Sequence, residues 1–301
     1  MRKLLLQNIW NARGSYLLIA PFMIVFTLFI VVPIVIAIGY SFFSFNAISP
    51  PKFIGWDNFL AIFTQDRIFL QHAIPNTFKF AIIVGPIGYL LSFLLAWLIH
   101  QVSKKVRDYF TLAIYIPSLS AGVALTVVWL VLFSGDRIGY LNHFLLSVGL
   151  LDEPVLWLQN PKHFMNIMII VSLWSSMGVG FLAMLAGLDT VNRELYEAGS
   201  IDGISNRLQE IIYITIPAIK PQMLFGAIMA VVGTLKAGQI GTLLASGTIT
   251  PQYSGHLMIN HIDDFAFTRF ELGYASALSV ILLIIVFATT KLSFAIFGSK
   301  E

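Results

Sequence analysis

Residues 196–217, which read YEAGSIDGISNRLQEIIYITIP, place charged and hydrogen-bonding side chains between two of the most apolar stretches of the chain. The wider loop, about residues 189–220, carries eight charged groups. Because lipid does not solvate charge, this loop cannot be another membrane span. Its carboxylate Glu197 is an acceptor suited to a basic group of a partner. The alternative is a solvated loop whose polar residues only cap its own helices.

Motifs for catalysis, nucleotide hydrolysis and metal binding are absent from the sequence. No Gly-x4-Gly-Lys-Ser/Thr loop occurs, so the chain does not hydrolyse ATP by that chemistry. The absence of cysteine excludes thiolate nucleophiles and cysteine-based metal sites. The six histidines form no ligand pattern; His261, with Asp263 and Asp264, is the one local cluster, and we interpret it as a solvated face. We predict no catalytic residue, no metal and no cofactor in this chain.

Composition indicates that membrane helices position the polar loop. Of 301 residues, 57% are hydrophobic and 11% are charged, and the mean hydropathy is +0.84. A soluble domain of this size needs far more charge to cover its surface. About 20 apolar residues cross a bilayer as a helix. We therefore predict an all-α integral membrane protein, a single transmembrane domain over 1–301, with six transmembrane helices within 15–45, 80–99, 109–133, 164–188, 218–235 and 272–297.

Lysine and arginine predict the orientation of these spans. Both residue types are in excess in the loops on the side of the N-terminus, which places both termini and the loop 189–220 in the cytoplasm. The net charge of +3 reflects these loops and gives no nucleic-acid signal. On the outer side, FIGWDNFLAIF, with Asp57 as a helix cap, and GDRIGYLNHFLLSVG predict short amphipathic helices lying along the membrane surface.

Within the loop, the sequence predicts two short helices around a turn. Asn192 is a candidate N-cap with Glu194 in the first turn, and Gly203 supplies a break. A second helix begins near Arg207, and Pro217 marks the return to the membrane, where its missing N–H is tolerated in a first turn.

The loop resembles the EAA signature, Glu-Ala-Ala-x3-Gly-x9-Ile-x-Leu-Pro, of permease subunits of bacterial ABC importers. Glu197, Ala198, Gly199, Gly203 and the ITIP run ending at Pro217 carry the resemblance. Flanking stretches, WSSMGVGFLAMLAGLDTVNRELYEAGSIDG and AFTRFELGYASALSV, are similar to the carbohydrate-uptake branch of maltose-type permeases. Two departures exist: Gly199 replaces the second Ala, and ten residues rather than nine separate Gly203 from the isoleucine of ITIP.

The resemblance implies the fold of a type I ABC importer permease, in which this loop is a coupling helix docked on a cytoplasmic ATPase subunit. The residues it assigns to coupling are Glu197, Ala198, Gly199, Asp202, Gly203 and Pro217. It also implies the partners: a second homologous permease, commonly an unlike one, two ABC ATPase subunits that use ATP and Mg²⁺, and an extracytoplasmic binding protein that delivers a sugar. The location it implies is the bacterial cytoplasmic membrane.

Polar residues inside the apolar stretches are candidates for the sugar pathway. Sugars are commonly held by hydrogen bonds to their hydroxyls and by an aromatic face, which favours Trp174, Ser175, Lys236 and Gln239. Each has a structural alternative. Trp174 is equally consistent with core packing, Lys236 with snorkelling to headgroups, and serine with helix packing.

Two other classes stay open at this point. A membrane-embedded enzyme acting on lipid-linked substrates needs a catalytic cluster at one membrane face, and an ion-coupled transporter usually needs an intramembrane acid, which none of the six predicted spans contains well inside it. We predict a non-enzymatic transport subunit. The sequence does not distinguish an oligosaccharide, favoured by resemblance, from a monosaccharide, a polyol or glycerol phosphate.

Overall fold

The computed structural model describes residues 12–119, 123–235 and 237–297, which are mostly helical. In chain order the helices are α1 Arg13–Phe26, α2 Val32–Tyr40, α3 Asp57–Thr64, α4 Ile74–His100, α5 Lys104–Leu119, α6 Val123–Leu132, α7 Tyr140–Ser147, α8 Pro161–Trp174, α9 Val179–Asp189, α10 Arg193–Ile201, α11 Arg207–Glu210, α12 Ile216–Ala218, α13 Lys220–Leu235, α14 Gly238–Ala245, α15 Met258–Asp263 and α16 Leu272–Phe297. Short π-helical turns lie at Thr27–Val31, Phe69–Ala73, Ile211–Thr215 and Asp264–Thr268, and a 3-10 turn at Pro251–Tyr253.

Four helical stretches of the described ranges are long and apolar enough to cross a membrane: Arg13–Tyr40, Phe69–His100, Pro161–Asp189 and Leu272–Ala295. A fifth is a bent pair, Arg207–Ala218 with Lys220–Leu235, which turn by 84°. The remaining predicted span, 109–133, falls on α5 and α6, and residues 120–122 between them lie outside the described ranges. The membrane class is supported, and the number of six spans stays a prediction.

The chain is mostly helical, as predicted, with one short hairpin that the prediction did not include. After α2 the chain forms an antiparallel hairpin, β1 Phe43–Ser44 with β2 Lys52–Phe53. Its turn is set by Asn46, whose Oδ1 accepts hydrogen bonds from the amides of Ile48 and Ser49 at 3.2 and 2.8 Å. Such side-chain-to-backbone bonds favour turns over helix, which explains the change from a helical pattern.

Helix α4 runs through the middle of the bundle, packed against α8, α9 and α13. Its first half contributes Phe80 and Val84 to a buried cluster with Phe164 of α8, and its second half meets Phe181 of α9. Helices α9 and α13 approach closely at Gly180, where an added Cβ would lie 3.1 Å from the Cα of Gly226. Small residues at such crossings are typical of packed membrane helices.

Short helices form at both positions where surface helices were predicted, but one cap differs. Helix α3 follows the hairpin and packs against α16, while α7 follows α6. Asp57 is in the first turn of α3, and the N-cap residue is Trp56, which makes no capping hydrogen bond. The predicted Asp57 cap is therefore wrong by one position. Asp57 instead places its negative charge at the positive end of the helix dipole.

Candidate functional site

Helix α10 begins at a well-formed cap. The Oδ1 atom of Asn192 accepts a hydrogen bond from the amide of Glu194 at 3.1 Å, and its Nδ2 donates to the Glu194 carboxylate at 3.1 Å. The first of these bonds satisfies a backbone N–H that has no partner within the first turn of the helix. The predicted Asn192 cap is confirmed.

One face of α10 is attached to the body of the protein. Gly199 is buried, and a Cβ built on it would lie 2.6 Å from Cδ1 of Ile214 and 3.1 Å from Cδ1 of Ile204. The hydroxyl of Tyr196 lies 3.0 Å from Oγ1 of the fully buried Thr215. Gly199 in place of alanine therefore has a packing reason: the isoleucines occupy the space of the missing methyl.

The extra residue in the spacer coincides with a π turn. At Ile211–Thr215 the helix widens, so that the amide of Ile216 bonds to the carbonyl of Ile211, five residues back. The Thr215 hydroxyl also donates to the carbonyl of Glu210, at 3.2 Å. Because a π turn holds one more residue per hydrogen-bonded ring than an α turn, it accommodates the longer spacer without rotating the helix that follows.

The opposite face of α10 is exposed. Glu197, Ala198 and Asp202 are exposed, and Ile201 is 85% exposed. Glu197 has Arg193 as a neighbour, with Nε to Oε1 at 3.7 Å and both side chains largely in the open. Exposed pairs of this kind contribute little, so a stronger partner can replace Arg193. The helix thus presents a carboxylate beside an apolar side chain on a rigid support.

The turn after α10 needs glycine. Gly203 has a φ of +94°, and the amide of Ile204 bonds to the carbonyl of Gly199 at 2.9 Å. This six-to-one bond is that of a Schellman cap, which commonly has glycine at its left-handed position. The predicted break at Gly203 is confirmed. Pro217 lies in α12, which continues without a break from the π turn at Ile211–Thr215 and ends just before the 84° bend.

An ion cluster joins the start of the loop to two other helices. The carboxylate of Asp189, at the end of α9, accepts a hydrogen bond from Nη1 of Arg107 in α5 at 2.5 Å, and Nε2 of His100 in α4 lies 3.3 Å away. Arg107 and Asp189 are 82 residues apart, so no local pattern could have found this contact. It ties the loop to the bundle where three helices end.

A cavity of about 350 Å³ lies between α4, α5, α8, α9, α13 and α14. Its size is within the range of about 300–1,000 Å³ typical of small-molecule sites. None of the described lining residues is charged, and the hydroxyl-bearing ones, apart from Tyr89, are Ser92, Ser118, Ser172, Ser175, Ser176 and Thr234.

Most of the serine and threonine hydroxyls of the cavity already donate their protons to the backbone. Ser172 donates to the carbonyl of Met168 at 2.6 Å, Ser176 to that of Leu173 at 2.7 Å, and Ser118 to that of Tyr115 at 2.8 Å. Each oxygen keeps lone pairs free, since a hydroxyl is one donor and two acceptors. The walls therefore offer acceptors to a solute that brings hydroxyl donors.

The predicted pathway residues are not all at this cavity. Ser175 lines it, at the break between α8 and α9. Trp174 is 37% exposed and packs edge-on against Trp129 with ring centres 5.2 Å apart, and Gln239 is exposed on α14; neither is in the cavity lining. Lys236 lies outside the described residues.

The predicted solvated face at His261 is wrong. His261 is 1% exposed, and its Nε2 lies 2.7 Å from the carboxylate of Asp66, not against Asp263 or Asp264. Its Nδ1 lies 3.2 Å from Nε2 of His256, which is 2% exposed. Within the described ranges no three His, Cys, Asp or Glu side chains are arranged so that they could hold a metal ion. The cluster ties the segment before α4 to α15.

The protonation states of this cluster follow from its geometry. Burial, with smaller contributions from charged neighbours, lowers the pKa of His256 to about 4. Burial acts to raise the pKa of Asp66, but hydrogen bonds from His261, the Phe69 amide and Tyr274 hold it below its ordinary value. At neutral pH we therefore infer an ionised Asp66 and a neutral His256.

Comparisons with known proteins give one consistent result. The family model described as "binding-protein-dependent transport system inner membrane component" matches residues 88–297. The chain is 32% identical over 282 residues to the probable ABC transporter permease protein YesP of Bacillus subtilis (strain 168), covering 93% of this chain and 89% of that protein. It is 28% identical over 291 residues to the arabinooligosaccharides transport system permease protein AraP of the same organism, covering 95% and 89%.

A solved structure extends the similarity to the fold. A chain in the crystal structure of a bacterial ABC transporter involved in the import of the acidic polysaccharide alginate aligns with a TM-score of 0.79 and 26% identity. The alignment covers 97% of this chain and 99% of that chain. The similarity therefore extends over nearly the whole length of both chains.

Proposed function

The chain belongs to the family of binding-protein-dependent transport system inner membrane components, and from this premise we propose that it is the permease subunit of an ATP-driven importer for an oligosaccharide. It is a multi-pass membrane protein with the type I importer permease fold, and it is a transport subunit rather than an enzyme. The single observation that carries the proposal is α10: one face is fixed to the bundle by Gly199, and the other exposes Glu197 and Ile201.

Docking of α10 on an ATPase subunit accounts for its shape. Ile201 is 85% exposed, so a docked partner would bury its apolar side chain. Glu197 beside it can make a charge-assisted hydrogen bond with a basic group of that partner. Because Tyr196 and Thr215 join the docked helix to the membrane helix that follows, movement of the partner would be transmitted to the bundle.

A neutral sugar fits the cavity better than an anion. Its described lining carries no charge and offers acceptor oxygens, which match sugar hydroxyls and oppose a carboxylate or phosphate. The named substrate of AraP, a family relative, is an arabinooligosaccharide. Glycerol phosphate, the alternative left open by the sequence, would need a cation. Lys236, next to the cavity-lining Ala237, is the candidate for that role.

We further propose the assembly that this function needs. The chain crosses the bacterial cytoplasmic membrane six times as a single domain, with both termini and the loop 189–220 in the cytoplasm. It pairs with a second, unlike permease to close the cavity, and each permease docks on one ABC ATPase subunit that uses ATP and Mg²⁺. An extracytoplasmic binding protein delivers the sugar. The family description, which names binding-protein dependence, supports that partner.

Gentle purification from the native membrane tests the proposal. The tagged chain should retain an ABC ATPase and a second permease, identified by mass spectrometry. Glu197→Ala should lower the amount of retained ATPase, because it removes the carboxylate of the docking face. Glu153→Ala is the matched control, since Glu153 is exposed in the loop after α7, away from α10.

The outcomes are distinct. Loss of the ATPase in Glu197→Ala but not in Glu153→Ala would support docking through α10. A wild-type chain that is recovered without any ATPase subunit would contradict the importer assignment. Equal retention by all three proteins would contradict the role of Glu197 while leaving the importer intact.

A further inference from the structure

Helix α3 has an exposed face that is apolar where a water-facing helix would be polar. Trp56, at its N-cap, is 64% exposed, Leu60 59% and Phe63 54%. At about 100° per residue these positions fall on one narrow line along the helix. Their contiguity matters, because scattered exposed apolar residues are ordinary whereas a continuous stripe indicates a covering phase or partner.

The other faces of α3 identify its surroundings. Asn58 and Ile62 are buried, and Ile62 packs in the cluster formed with Phe69 and α16. Asp57 and Thr64 are exposed and lie about a quarter turn from the apolar line. The helix thus has three sides: one against protein, one apolar and open, and one polar and open. This arrangement is that of a helix lying in a membrane interface.

The helix is held firmly in this orientation. The side-chain Nδ2 of Asn58 donates to the carbonyls of Ser41 and Phe43 at 2.9 and 3.0 Å, which fixes α3 to the end of α2 and to the hairpin. The Trp56 ring packs against Phe42 and Phe59 with centres 5.0 and 5.2 Å away. The stripe is therefore presented by a rigid support and does not result from a loose segment.

The position of α3 argues for lipid as the occupant. It packs on α16, a membrane-spanning helix whose Ile284 and Phe287 are each 61% exposed, and it follows the hairpin directly after the span that ends at Tyr40. Helix α3 is thus attached to the ends of two helical stretches that are long and apolar enough to cross a membrane. Tryptophan is typical of the headgroup level, where its indole N–H can bond to lipid oxygens, and phenylalanine and leucine are typical of the apolar face of interfacial helices.

We propose that Trp56, Leu60 and Phe63 form a lipid-binding face that embeds α3 in the membrane interface, at the end of the bundle opposite the loop 189–220. Embedded there, α3 fixes the height of the Phe43–Phe53 hairpin above the membrane. The polar strip of Asp57 and Thr64 faces water. The interaction is with the membrane itself rather than with a protein partner.

Because the chain has no cysteine, spin labels on single introduced cysteines test this directly. Leu60→Cys, Phe63→Cys and, as the matched control on the same helix, Thr64→Cys are labelled in the assembled transporter in lipid nanodiscs. Collisions with oxygen, which concentrates in lipid, are compared with collisions with a water-soluble nickel chelate. The depth parameter from these two rates should be positive at 60 and 63 and negative at 64.

Two outcomes overturn the proposal. Labels at 60 and 63 as accessible to the nickel chelate as the label at 64 would place the stripe in water. Labels at 60 and 63 shielded from both reagents would mean that a protein covers it. If a cysteine variant does not assemble, fluorescence quenching by bromine-labelled lipids decides: wild type should lose more tryptophan emission than Trp56→Phe, and equal quenching contradicts lipid contact. Neither readout depends on sugar or ATP.

Discussion

Gly199→Ala tests whether α10 is attached by close packing. The added Cβ would lie 2.6 Å from Cδ1 of Ile214, whereas carbon atoms in contact prefer about 3.5–4.0 Å, so that methyl must retreat by about 1 Å. Overpacking of this kind costs about 1–3 kcal/mol, and the better helix propensity of alanine returns about 1 kcal/mol. We expect a net destabilisation of about 0–2 kcal/mol.

A second substitution, Ile214→Val, removes the atom that opposes the added methyl and completes a double-mutant cycle with Gly199→Ala. Ile214→Val lacks Cδ1 and alone should cost about 0.5–1.5 kcal/mol as a lost methylene. In the double variant the alanine methyl occupies the vacated space. The double variant should therefore be more stable than the sum of the two single effects by about 1 kcal/mol or more. Gly39→Ala is the control, since nothing lies within 4 Å of a Cβ at that helical position.

Unfolding of the purified chain by titration with sodium dodecyl sulfate in mixed micelles measures these differences. Gly39→Ala should be neutral or stabilising. Additivity of Gly199→Ala and Ile214→Val within about 0.3–0.5 kcal/mol would refute the packing argument, because independent sites behave in that way. A Gly199→Ala variant more stable than wild type by the full propensity gain would refute it as well.

Three further predictions rest on other contacts. Gly203→Ala should destabilise the chain by about 1–2 kcal/mol in the same titration, and Gly203→Asn by less, because only the positive φ of +94° opposes a side chain there. The pKa of His256 is about 4 in the folded chain against an ordinary 6.5, so the unfolded chain binds a proton at higher pH than the folded chain does. The free energy of unfolding should therefore fall as the pH drops from 6.5 to 4. His256→Gln should make the free energy of unfolding less dependent on pH in this range. Arg107→Ala should loosen the start of the loop, seen as faster amide hydrogen exchange around Asp189, whereas Arg107→Lys should retain part of the protection.

The class of helical membrane protein could be predicted from the sequence, because the length of an apolar stretch and the charge of a loop are local properties. The same holds for the Asn192 cap and the Gly203 turn, where residue type dictates backbone geometry within a few positions. The hairpin after α2 was missed, since its signal is one asparagine turn inside an apolar, aromatic run.

Contacts between distant residues could not be predicted. His261 reads as solvent-facing beside Asp263 and Asp264, yet it is buried against Asp66, which is 195 residues away. The reason for Gly199 likewise depends on Ile214, brought close by a π turn that no propensity scale predicts. Pathway residues were the hardest, because only the packing of six helices decides which serines face the cavity.

The central claim is that α10 docks on an ATPase subunit. Crosslinking from two equally exposed isoleucine positions tests it most directly. Ile201 in α10 is 85% exposed and Ile138, at the other end of the bundle, is 87% exposed. Single cysteines at these positions in the cysteine-free chain would carry a photoactivatable crosslinker in native membranes, with adducts identified by mass spectrometry. The label at 201 should capture an ABC ATPase and the label at 138 should not. An ATPase adduct from 138, or none from 201, would contradict the claim.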